Sequence, residues 1–100
     1  MKDQKEIVVI TAVVNKAHVD ELPTYLEQVQ LIFGKNGAKP IGRYKTVQNV
    51  VGTDSPEIIS IFEFDNSDAI NTMVQSEEFT GLAELRARVF SKLNMVLCSS

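Results

Sequence analysis

The chain has 100 residues, 44% of them hydrophobic, with ten basic and thirteen acidic side chains and a formal net charge of −3. That is one domain, residues 1–100, large enough to bury a core without staples, and its acidic balance opposes broad attraction to nucleic acid or anionic lipid. A single cysteine, Cys98, excludes an internal disulfide and reads as a small buried hydrophobe near the C-terminus.

The opening MKDQKE runs straight into a strand, without the apolar core and small-residue site of a signal peptide. No apolar run approaches the roughly 20 residues of a membrane span, so the expected location is the cytoplasm. From Ile7 to Val14 both parities are apolar, which predicts a central strand buried on both faces. Asn15 to Val19 form a polar turn. Asp20 is the expected cap of a helix starting at Glu21, with Pro23 in the first turn, where its missing N–H breaks no intrahelical bond. Leu22, Leu26, Val29 and Phe33 make the inner stripe of that helix, widened by Tyr25 and Ile32. Gly37 ends it, with Pro40 shortly after. The run Gly34-Lys35-Asn36-Gly37 is no phosphate loop, because it lies at a helix C-terminus, whose partial negative charge repels phosphate.

Pro40 to Val51 is extended but more polar, as an edge strand is, with Gly42 a candidate bulge. Gly52 to Pro56 is a turn by composition and makes a hairpin with the next strand. In that strand Ile58, Ser60, Phe62 and Phe64 share one face, and Ile59, Ile61 and Glu63 share the other. Asn66 or Ser67 caps a helix from about Asp68 to Gln75, whose inner side carries Ile70, Met73 and Val74. Ser76, followed by Glu77 and Glu78, caps a third helix with Phe79, Leu82, Leu85 and Val89 as its stripe. Gly81 weakens that helix by roughly 1 kcal/mol relative to Ala. Leu93 to Cys98 is the last strand.

The order is strand, helix, strand, strand, helix pair, strand. It predicts an α+β, ferredoxin-like split βαββαβ domain, a four-stranded antiparallel sheet with helices on one face, its first and third strands central and parallel. Two strands are apolar on both faces while helices cover one, so the open face calls for a homodimer with sheets face to face.

The most specific segment is Glu63-Phe64, the cap at Asn66, Ala69, then Ser76, Glu78, Phe79 and Leu85-Arg86. It resembles the pattern EFPS, a helix, SPEY and LR of the domain-of-unknown-function family thirteen-thirty within the dimeric alpha/beta barrel superfamily. Tyr25, Gly37, Arg43 and Gly52 support the resemblance. Asp65, His18, Leu22, Ala38 and Val51 depart from the pattern, and Phe79 takes its tyrosine place. The resemblance implies a dimeric alpha/beta barrel, and superfamily relatives include cofactor-free monooxygenases, muconolactone-type isomerases and haem enzymes, which is analogy at the level of fold.

The candidate polar residues follow from position. Glu63 and Arg86 could project between sheet and helices, where desolvation or the arginine would tune a carboxylate into a general base. A plain Glu–Arg pair or a solvated strand end is the structural alternative, and a place in the dimer interface is a third. Tyr25 and Arg43 are the ligand-binding candidates, against a core aromatic and a solvated or interface charge. His18, the only histidine, is the candidate proton shuttle, against a functionally silent histidine in an exposed turn. One His and one Cys far apart do not make a zinc site, and no cofactor is expected. RNA-recognition domains share this strand order, but they need exposed aromatics on both central strands, and the first strand has none. Two functions remain: a cofactor-free enzyme, monooxygenase-like or isomerase-like, acting on a small organic molecule, and a non-catalytic small-ligand sensor or regulatory module.

Overall fold

The computed structural model describes residues 5–99. Its elements are β1 (Glu6–Val14), a 3-10 helix (Lys16–Glu21), α1 (Leu22–Lys35), β2 (Lys39–Lys45), β3 (Ile58–Phe64), α2 (Ser67–Gln75), α3 (Glu77–Thr80), α4 (Ala83–Val89) and β4 (Phe90–Cys98). The strands form one open sheet in the order β2-β3-β1-β4, and every neighbouring pair is antiparallel. The expectation that the first and third strands are parallel is therefore corrected. The α1 crossover joins β1 to β2, which run the same way but are separated by β3, and β3 opposes both. No helix among the described residues is long and apolar enough to cross a membrane.

The helices lie on one sheet face. Val8 and Ala12 of β1, Phe64 of β3, Ile70 and Met73 of α2, Val89 of α4, and Tyr25, Ile32 and Phe33 of α1 form the buried core. Phe33 stands edge-on to both Phe62 and Phe64, with ring centroids 4.8 and 5.8 Å away. These contacts decide which face of β3 points inward. The α1 stripe is rotated from its expected centre. Tyr25 and Ile32 are buried where α3 and α4 pack, whereas Leu26 and Val29 are only partly buried and border a gap above the sheet.

Caps fix the helix starts. Asn66 Oδ1 accepts from the Ala69 N–H at 3.0 Å, and Ser76 Oγ accepts from the Phe79 N–H at 3.1 Å while donating to the Met73 carbonyl. Both match the expected capping chemistry. Asp20 does not cap α1. The turn is opened instead by Asn15, whose Oδ1 accepts from the Ala17 N–H, and α1 has no side-chain cap. Gly37 adopts φ +83° after α1, the left-handed conformation that favours glycine. The single third helix is in fact two short ones, broken at Gly81 and Leu82, where bonds from the Gly81 and Leu82 N–H groups to the Glu77 and Phe79 carbonyls close the α3 turn.

Three further boundaries move. β2 stops at Lys45 rather than Val51: after the Thr46 N–H bonds the Glu57 carbonyl the chain leaves the ladder, and Val47, Val50 and Val51 are 93, 87 and 91% exposed. The bulge lies at Ile41, one residue before Gly42, because the register slips between Pro40 and Gly42. Gly42 has its own reason to lack a side chain: a Cβ there would stand 2.5 Å from the Tyr44 hydroxyl, whose ring lies over it. β4 begins at Phe90 rather than Leu93. Cys98 is exposed, not buried, since it pairs with Ile7 at the end of an edge strand that nothing among the described residues covers.

Candidate functional site

The gap beside α1 is a cleft between helix and sheet. Its inner chamber, about 80 Å³, is walled mainly by apolar groups, among them Ile10 of β1, Leu26 and Val29 of α1, Phe62 of β3, and Leu93 and Met95 of β4. It adjoins a wider mouth of about 590 Å³ between the end of α1 and β2, and the two share Gln30, Phe33, Arg43, Ser60 and Phe62. Arg43 and Ser60 are register partners on β2 and β3, so both side chains stand on the helix-facing side. Gln30 reaches the same space from α1. A mostly apolar hollow with a few convergent polar groups is the usual form of a small-molecule site.

Tyr25 lines the chamber, and its ring stands edge-on to Phe90 with centroids 5.4 Å apart. Behind it, Arg86 Nε donates to the Tyr25 hydroxyl at 3.1 Å, and Nη2 donates to the Phe79 carbonyl at 3.1 Å. The guanidinium carbon also lies 4.4 Å from the centre of the Phe79 ring, within cation–π range. Arg86 thus holds Tyr25 in place from outside the chamber wall.

The other two candidates lie elsewhere. Glu63 faces away from Arg86, on the open side of the sheet, with Lys5 Nζ 3.9 Å from its carboxylate. Phe62 and Phe64 take the inward positions on either side of it, so Glu63 cannot enter the space between sheet and helices, and no Glu63–Arg86 pair forms. His18 lies in the 3-10 helix, its Nδ1 3.0 Å from Glu21 Oε2. Arg88 Nη2 donates to Glu21 Oε1 at 2.8 Å, and the hydrogen bonds from Arg88 hold the Glu21 carboxyl below its ordinary value. This trio does not line the cleft. Among the described residues no group of three or more His, Cys, Asp or Glu is placed to hold a metal ion.

Sequence reasoning passed over Ser60 and Gln30. Ser60 carried a signal, being the one polar residue on the face shared by Ile58, Phe62 and Phe64. Gln30 carried none, because a polar residue on a helix flank is ordinary until the neighbouring gap is known.

Residues 7–99 match the family model described as Domain of unknown function (DUF1330). The chain belongs to the DUF1330 family. No curated protein matches it. Among solved structures, this DUF1330 chain is similar to the RPA0582 protein of unknown function from Rhodopseudomonas palustris, at 10% identity and TM-score 0.84, over 99% of this chain and 84% of that one. It is also similar to a dabb family protein with a ferredoxin-like fold from Mesorhizobium loti, at 10% identity and TM-score 0.72, over 97% of each chain. A third similar structure is SnoaB, a cofactor-independent oxygenase from Streptomyces nogalater, at 11% identity and TM-score 0.68, over 97% of this chain and 93% of that one. At such identities the likeness carries the ferredoxin-like fold of this DUF1330 domain and nothing of its chemistry.

Proposed function

We propose that this chain is a homodimeric protein that takes a small organic molecule into the cleft between α1 and the sheet and acts on it as a cofactor-free enzyme, oxygenase-like or isomerase-like. The observation that supports this most is the cleft itself: an apolar chamber that opens past Arg43, Ser60 and Gln30, with Tyr25 fixed in its wall. The fold shared with a cofactor-independent oxygenase is consistent with this reading. Dimerisation would use the open sheet face, where Ile7, Val9, Ile59, Ile61 and Val96 have no covering layer among the described residues, together with the exposed valines after β2.

One observation favours the second reading, a non-catalytic ligand sensor. Among the described residues no carboxylate or imidazole lines the cleft, so proton transfer would fall to Tyr25 or to the substrate's own acidity. A thermal-shift screen of metabolites finds the ligand, since one at 100 times its dissociation constant adds roughly 2.7 kcal/mol. Incubating each hit with protein in air-saturated buffer, with oxygen uptake and product analysis as readouts, then separates the two readings. Turnover lost in Tyr25→Phe supports the enzyme, whereas tight binding with every hit recovered unchanged leaves the sensor.

A further inference from the structure

Resting on the reading that the cleft takes up a small molecule, we propose that its ligand is a monocarboxylate with an apolar tail, its head held by Arg43. The chain has three arginines. Arg86 is engaged by Tyr25 and Phe79, and Arg88 by Glu21. Arg43 makes no ion pair or side-chain hydrogen bond among the described residues, yet it lines both the chamber and the mouth. None of the residues lining either space carries a carboxylate, so an entering anion meets no like charge and Arg43 no internal competitor.

The surrounding groups specify the head. A guanidinium offers a planar fork that matches a carboxylate through two parallel hydrogen bonds. Ser60, beside Arg43 across the β2–β3 pair, and Gln30, from α1, add neutral donors. One cation with neutral helpers balances one negative charge, whereas a phosphate dianion would keep an uncompensated charge. The chamber beyond specifies the tail. Its 80 Å³ is several times the roughly 10–15 Å³ that a single water needs, and its walls are mainly hydrocarbon. The net charge of −3 works against long-range attraction of anions, so recognition is local and rests on Arg43.

The test is a titration of isotope-labelled protein, followed by amide chemical shifts, with butyrate, hexanoate, octanoate and benzoate. The matching primary alcohols and phenyl phosphate serve as comparators. The acids are expected to shift amides around Arg43 and Ser60 and to bind about tenfold more tightly than the matching alcohols. Arg43→Gln is expected to remove most of the difference between the acids and the alcohols, and amide shifts that stay unchanged away from the cleft report that the domain remains folded. Ser60→Ala is expected to narrow the acid–alcohol difference without abolishing it. Equal binding of acid and alcohol by the unaltered protein overturns the carboxylate assignment alone, as does phenyl phosphate displacing benzoate at lower concentration. If no member of the panel shifts a cleft residue, the small-molecule reading of the cleft falls, and this inference with it.

Discussion

Arg86 shows how one side chain can fasten three parts of the fold. It donates to the Tyr25 hydroxyl on α1 and to the Phe79 carbonyl at the α3–α4 break, and it covers the Phe79 ring. Arg86→Met keeps the bulk and removes the donors, leaving a half-buried hydroxyl and carbonyl short of partners. The expected loss is about 1–3 kcal/mol in a denaturant titration. Arg86→Lys is expected to recover only part of it, because an ammonium lacks the planar fork. The Glu21–Arg88 pair sets a second expectation. Glu21 is held below its ordinary value of 4.5 by hydrogen bonds from Arg88, so its folded pKa is depressed. Its contribution is complete above the ordinary value and is lost as pH falls through the lower, folded one. Melting curves between neutral and acid pH are therefore expected to converge for the unaltered protein and Arg88→Ala at the acid end. Residues of this kind were only partly legible. Alternation along β3 separated Glu63 from Phe62 and Phe64, but with both faces apolar it did not reveal which one the helices cover, and the Phe33 contacts decide that. Ser60 was readable as the one polar residue of the inward face, while Arg43, a candidate from the sequence, is put beside Ser60 only by the strand register.

Capping side chains give the elements their boundaries, and they can be tested as a contrasting pair. Ser76 serves two helices at once, accepting from the Phe79 N–H and donating to the Met73 carbonyl, so Ser76→Ala is expected to cost about 1 kcal/mol or somewhat more. Asp20 has the composition of a cap without its geometry, so Asp20→Ala is expected to change stability by no more than about 0.5 kcal/mol. Thermal or urea unfolding of the two variants side by side checks both values. Elements with local signals were the ones the sequence described well: the caps at Asn66 and Ser76, the turn at Gly37 and the doubled apolar parity of β1. Ends set by distant partners were not. β2 stops where the Thr46 N–H meets the Glu57 carbonyl, and Glu57 in turn donates its own N–H to the Ala12 carbonyl and accepts the Val14 N–H on its side chain. No local pattern around Val47 to Val51 announces that exchange.

At the scale of the fold, the described residues leave one side of the sheet unroofed. If that side is where a second copy sits, sedimentation at micromolar concentration is expected to give the mass of a dimer. Ile61→Lys, which places a charge among Val9, Ile59 and the neighbouring strands, is expected to give a monomer that keeps its circular dichroism spectrum. A monomeric unaltered protein would remove the assembly from the proposal while leaving the cleft intact. The βαββαβ order and the one-sided helical layer followed from element order and periodicity alone. The cleft did not, because on α1 Tyr25 and Ile32 are buried while Leu26 and Val29 are only partly so, a choice among neighbouring apolar positions that the stripe itself does not encode. The exposed segment after β2 carries a last implication. Arg43 sits two residues before the strand's end at Lys45, and the chain runs from there directly into Val47, Val50 and Val51. Anchoring that segment on a neighbour would stiffen the very strand that presents the guanidinium. Uptake at the cleft would then strengthen with protein concentration, and dilution would act as an antagonist without touching the cleft.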